Sequence, residues 1–170
     1  GGLVTIDITD PLSPKTASNY GIAGGAHSVV VAGNYAYVTD GYTNLVIVDI
    51  SVPSSPTTVG SCSLGYYGCS VATVSGNYAY ITNRDSGLII VDITDPSSPK
   101  FVGRYNAGGL TFDAAVAGNY AYIANMVNGW SGLLVVDVSN SSSPTLAGKL
   151  AVSSAQGVYV SGNYAYISSL

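Results

Sequence analysis

Gly33-Asn34-Tyr35-Ala36-Tyr37, and a few residues on Leu45-Val46-Ile47-Val48-Asp49, form a stretch that occurs four times in this chain. The first block returns at Gly76, Gly118 and Gly162, with spacings of 43, 42 and 44 residues. The second reads Leu3-Val4-Thr5-Ile6-Asp7, Leu88-Ile89-Ile90-Val91-Asp92 and Leu133-Leu134-Val135-Val136-Asp137 in its other copies. A Pro-bearing turn follows each of them: Asp10-Pro11 to Pro14, Pro53 to Pro56, Asp95-Pro96 to Pro99, and Asn140 to Pro144. Three phased blocks in four copies define an internal repeat of about 42 residues, the kind of period that solenoids and propellers show.

Each period reads as four short strands, as at 69–75, 77–82, 87–94 and 100–105, here named A to D from first to last. The Gly-Asn step between A and B is a tight hairpin because both residues tolerate positive φ, and the Pro-rich step between C and D is a wider one. Four antiparallel strands per 42 residues is the unit of a propeller blade. Strand C is apolar on nearly every residue, so both its faces must be covered, as happens when each blade packs against two neighbours. The tyrosine pairs Tyr35/Tyr37, Tyr78/Tyr80, Tyr120/Tyr122 and Tyr164/Tyr166 sit two residues apart on one face of strand B and read as core between blades.

Composition agrees. Of 170 residues only 8% are charged and 47% are hydrophobic, and the mean hydropathy is +0.35, which excludes the disordered class. All nine acidic residues are Asp, and the scarcity of Glu, Lys and Arg beside 14 Tyr speaks for an all-β protein. A net charge of −4, with basic residues scattered at Lys15, Arg84, Lys100, Arg104 and Lys149, offers no surface for nucleic acid. No apolar run reaches the length of a membrane span, the longest (as at 45–50) having strand length. The expectation is a single domain, 1–170, with repeats at about 1–40, 41–83, 84–125 and 126–170.

The block Leu45-Val46-Ile47-Val48-Asp49 spells the signature of the LVIVD-repeat proteins, and the Gly-Asn-Tyr-Ala-Tyr and Asp-Pro-Ser-Ser-Pro blocks resemble the rest of that repeat. The resemblance implies a β-propeller, found mainly in secreted or surface proteins of prokaryotes, without common catalytic residues. Family members more often have enough repeats for a larger ring. Four repeats here are expected either to close as four blades within the chain, residues 2–20 and 155–169 together making one blade, or to belong to a larger or intermolecularly completed ring.

Chemistry-bearing residues are few. His27 is the single histidine, which rules out a multi-His zinc site and leaves any nucleophile–base pair dependent on that one side chain. No GxSxG elbow, P-loop or dinucleotide fingerprint occurs, so neither enzyme activity nor a cofactor is expected. Asp7, Asp49, Asp92 and Asp137 precede oxygen-rich turns. They read as structural turn carboxylates accepting N–H groups, not as calcium ligands, because no tight cluster of oxygen donors accompanies them. Cys62 and Cys69 are expected to be bonded to each other, the alternative being two small buried apolar residues. Asn140-Ser141-Ser142 is a formal glycosylation sequon of the kind that arises freely in a Ser-rich chain.

The B–C and D–A loops share one end of a propeller and here carry the variable residues. The candidate partner-binding set is therefore His27, Asp40, Tyr42, Tyr66, Tyr67, Arg84, Asp85 and Trp130. The expected function is a non-catalytic extracellular or cell-surface module that binds a protein partner or copies of itself. A glycan-binding module is the alternative, and an enzyme using the channel mouth near His27 comes last.

Overall fold

The structure is a computed structural model that describes residues 1–40, 42–65 and 68–170, without the side chains of Val71 and Ala72. The described residues form sixteen strands and no helix. Three complete blades stand in sequence. The first is β3 (Ala26–Ala32), β4 (Tyr35–Asp40), β5 (Asn44–Asp49) and β6 (Thr57–Ser63). The second is β7 (Cys69–Ser75), β8 (Tyr78–Asn83), β9 (Gly87–Asp92) and β10 (Lys100–Tyr105). The third is β11 (Leu110–Ala117), β12 (Tyr120–Val127), β13 (Trp130–Asp137) and β14 (Thr145–Ala151). Each is an antiparallel meander in chain order, strands A to D. A blade thus begins at strand A, and the boundaries expected near 40, 83 and 125 cut each one between B and C.

Two half-blades flank them: β1 (Gly2–Asp7) with β2 (Lys15–Gly21), a C–D hairpin, and β15 (Ala155–Ser161) with β16 (Tyr164–Ser169), an A–B hairpin. They remain separate two-stranded sheets, so the ring does not close within the chain, contrary to the first of the closure alternatives. Among the described residues β1 is paired only to β2 and β16 only to β15, which leaves one hydrogen-bonding edge open on each.

The A–B turns use glycine as the hairpin demands, with φ between 56° and 58° at Gly33, Gly76, Gly118 and Gly162. The core lies between blades. One cluster joins Tyr37, Leu45 and Ile47 of the first blade to Ala79, Ile81, Ile89 and Val91 of the second. Another joins Tyr80, Leu88 and Ile90 to Ile123, Leu134 and Val136 of the third. A third joins Ala36, Val38 and Val48 to Leu3 and Tyr20 of the first half-blade, whose Tyr20 hydroxyl reaches Thr58 at 2.9 Å. Strand C is apolar throughout because its alternate residues serve opposite neighbours: Leu45 and Ile47 face the second blade, Val48 the half-blade before.

Where a neighbour is missing, the same positions are bare. Tyr37 and Tyr80 are each 4% exposed, while Tyr166 is 58% and Tyr164 71% exposed. Val48 is fully buried, and its counterpart Ile6 is 53% exposed.

Close backbone approach locks the blades at their outer rim. A Cβ on Gly60 of β6 would overlap the carbonyl oxygen of Pro96, in the C–D turn of the next blade. A Cβ on Gly103 of β10 would overlap that of Ser141, in the corresponding turn of the third blade. Gly148 of β14 holds the same register, opposite Val135 as Gly60 is opposite Ile47 and Gly103 opposite Ile90, yet nothing lies within 4 Å of its Cβ position.

Candidate functional site

The B–C loops are held from the last residue of strand B. Asp40 is 4% exposed, and its Oδ1 accepts the N–H groups of Tyr42 and Asn44 at 3.0 and 2.8 Å while Oδ2 accepts Asn44 Nδ2 at 2.6 Å. Asn83 does the same in the second blade, accepting from Ser86 N and Asp85 N at 2.7 and 3.1 Å. In the third, buried Asn125 accepts the Thr111 hydroxyl at 3.1 Å and donates to the Ala107 carbonyl at 3.3 Å, tying strand B to the D–A loop. Asp40 thus holds its own loop, its buried carboxylate already accepting three N–H donors.

The four strand-C aspartates end their strands in Asx turns. Asp7, Asp49, Asp92 and Asp137 each accept the N–H two residues on, from Thr9, Ser51, Thr94 and Ser139, at 2.8 to 2.9 Å. Hydrogen bonds from those side chains and N–H groups hold all four carboxyls below the ordinary value of 3.8, the side-chain bond being the larger cause. Among the described residues no group of His, Cys or Asp is arranged to hold a metal ion.

The structure does not join Cys62 to Cys69. The reason is radial. Cys62, on an outermost strand, takes a backbone hydrogen bond from Phe101 of β10, whereas Cys69 contacts Asn83 Nδ2 on β8 at 3.5 Å. Strand β9 lies between those partners, so the two thiols are turned toward different strands of the second blade. Burial pushes the Cys69 thiol up to about 11, and the pair takes the alternative role of small apolar residues in the first core cluster.

The remaining described candidates separate into four places. His27 and Arg84 line a single cavity of about 430 Å³ with Ser70, Thr82, Thr111 and Phe112, drawn from three successive blades. His27 Nδ1 lies 3.4 Å from the Ser70 hydroxyl, and Thr82 Oγ1 donates to the Ser70 carbonyl at 3.2 Å. Asp85 points elsewhere, into a neighbouring cavity with Gly108, Gly109 and Asn128. Trp130 borders a third with Met126 and Ser154. It is only partly available: half-buried, packed on the second core cluster, with the Lys149 ammonium 5.8 Å from its ring centroid. Tyr42 is 58% exposed beside Gly24. Tyr66 and Tyr67 lie outside the described residues.

Ser70 and Phe112 escaped the sequence reading, although a signal for them existed. His27, Ser70, Phe112 and Gln156 each stand six residues before the Gly-Asn turn of their repeat. At this fixed distance from the turn the four copies carry imidazole, hydroxyl, phenyl and amide. In three copies it is the extra residue of a β-bulge in strand A, between Ala26 and Ser28, Thr111 and Asp113, and Ala155 and Gly157. A bulge re-aims a side chain out of the strict alternation, which is why such positions collect at functional rims.

The LVIVD repeat pattern matches residues 23–63, 67–107, 108–152 and 153–169, so the chain belongs to the family of LVIVD-repeat proteins. The four matches follow the blades seen here, the last of them the A–B half-blade. A search of curated proteins returns no match. No helix among the described residues is long and apolar enough to cross a membrane.

Proposed function

We propose that this chain is a non-catalytic propeller module, working outside the cytoplasm or at the cell surface, that assembles with copies of itself through its two half-blades. The observation that carries the reading is the complementarity of the open edges. In every complete blade strand B meets strand C in one register, Tyr35 opposite Asp49, Tyr78 opposite Asp92 and Tyr120 opposite Asp137. A bond of 2.8 Å follows each ladder, from Ile50 N to Asn34 O, Ile93 N to Asn77 O and Val138 N to Asn119 O. The same register sets β16 of one copy against β1 of a second, with Tyr164 opposite Asp7 and Ile8 N bonding Asn163 O. That joint would cover Tyr164, Tyr166, Val4 and Ile6, and seat the turn at Asp10-Pro11 over the bare Gly148. Two copies joined at both ends would make an eight-bladed ring, within the range of known propellers.

A Ser–His pair at 3.4 Å, with no third group among the described residues orienting the imidazole, supports a non-catalytic reading. The low-charge, Glu-free, Tyr- and Ser-rich composition and the family membership support the extracellular placement. Glycan binding stays a second reading because aromatic rings, Trp130 and Phe112, border two cavities on the loop face. Sedimentation velocity of the 170-residue chain across a hundredfold concentration range tests the main reading. A dimer of twice 17.2 kDa that Ile6→Lys abolishes is the expected result, and a monomer at every concentration rejects it.

A further inference from the structure

The structure assigns a second role to the channel-mouth cavity: we infer that it binds a small carboxylate-bearing ligand of the acidic-sugar type, between the Arg84 guanidinium and the His27 imidazole. Charge placement argues for it. Of the five Lys and Arg, four stand on outermost strands: Lys15 on β2, Lys100 and Arg104 on β10, and Lys149 on β14. Arg84 alone is set inward, and it shares its cavity with the only histidine.

The nine aspartates leave that cavity clear. Four close the C strands, Asp10 and Asp95 bond the C–D turns, Asp40 caps its own loop, and Asp85 lines the neighbouring cavity. Asp113, beside Phe112, is engaged by Ala114 N and Val158 N at 2.9 and 3.0 Å. Gly41, Tyr66 and Tyr67, the residues not described, carry no carboxylate. In a chain of net charge −4, a concavity with two cationic or N–H-donating groups and no acid on its wall selects for an anion.

Its remaining walls say which kind of anion. Phe112 offers a half-buried ring face, and the Ser70 hydroxyl is a donor and acceptor beside it. Thr82 and Thr111 are buried with their hydroxyls already bonded to Ser70 O and Asn125 Oδ1, so they form the floor of the cavity and leave the polar contacts to Ser70, Arg84 and His27. A ring that stacks on phenyl, brings a hydroxyl to Ser70 and places a carboxylate on the guanidinium satisfies these walls. The volume of about 430 Å³ lies within the roughly 300–1,000 Å³ of small-molecule sites. The cavity lies within the blades and away from both half-blade edges, so this inference does not rest on self-assembly.

The single histidine is its own reporter. Titrating the ¹⁵N-labelled 170-residue chain at fixed pH with glucuronate should shift the His27 ring resonances along a saturable curve. Glucose, the same ring without the carboxylate, should leave them in place. Arg84→Gln, an exposed substitution outside the strands, should weaken the glucuronate curve by about tenfold, the size of one charge-assisted bond. Ring resonances unmoved by tens of millimolar glucuronate, a response to glucose equal to that to glucuronate, or an Arg84→Gln curve unchanged from the parent would each overturn the assignment. The amide spectrum of Arg84→Gln shows independently that the variant is folded.

Discussion

Gly148→Ala separates what the isolated chain needs from what its assembly needs. Gly103 and Gly148 hold the same place on strand D, but only Gly103 has a C–D turn lying on it, so that an added methyl would overlap Ser141 O and stand 3.0 Å from Ser142 O. Both obstacles are backbone atoms, and relief requires the blades to part. Overpacking of this kind costs about 2 kcal/mol, roughly a thirtyfold loss in the folding equilibrium. At Gly148 the methyl meets nothing, so the monomer should be unchanged or gain about 0.5 kcal/mol from the smaller entropy of the unfolded chain. If a second copy's Asp10-Pro11 turn seats on Gly148, the same overlap reappears as a cost of association, and the dimerisation constant should weaken by about thirtyfold. Urea melts of Gly103→Ala and Gly148→Ala, with sedimentation velocity of the latter, give both numbers. A Gly148→Ala protein that associates as tightly as its parent would refute the seating of the turn. An unaffected Gly103→Ala melt would refute the steric reasoning itself.

Other predictions concern single groups. The carboxyls of Asp7, Asp49, Asp92 and Asp137 are lowered by folding, so their contribution to stability is complete above about pH 4 and is lost as the pH falls through the lowered values. Carboxyl ¹³C titration should place all four below 3.8, and a midpoint at or above that value would contradict the Asx turns. Cys69, with its thiol near 11, should resist iodoacetamide at pH 8 until the chain is unfolded, and mass spectrometry without reductant should count two thiols; one disulfide would contradict the radial separation. Trp130→Ala should cost about 2 kcal/mol, somewhat less than a fully buried Trp, lowering Tm by roughly 4–8 °C. A Tm within 1 °C of the parent, about the scatter of such a melt, would return that ring to the ligand-facing set.

The blades were legible because every level of the sequence repeats one message. Gly33 and its copies must sit at positive φ, the Asp of strand C must find the N–H two residues on, and a strand apolar on both faces, like 45–49, can only lie between two layers. What escaped depends on radius and on register, neither of which a period displays. Cys62 and Cys69 look adjacent along the chain, but the D–A connection carries it from the rim to the axis. Asp40 looks like surface charge until the loop it caps is seen folded over it. Phe112 belongs to a site because of a bulge, which shifts one residue out of alternation and leaves only its spacing from the Gly-Asn turn as a trace, while Ser70, paired regularly with Thr82, reaches the same cavity without one.

The second blade differs from the others in lying between two complete blades, and that asymmetry sets an order in time. In a chain where each layer touches only its neighbours, opening starts at the outermost layers and moves inward. Amide protons of β8 and β9 should then exchange last, those of β1 and β16 first, with the first and third blades between them. A protease acting on the unassembled chain would meet the two hairpins before anything else. Assembly through those hairpins would remove the points where fraying begins, lengthening the lifetime of strands far from the joint without adding a single contact to them.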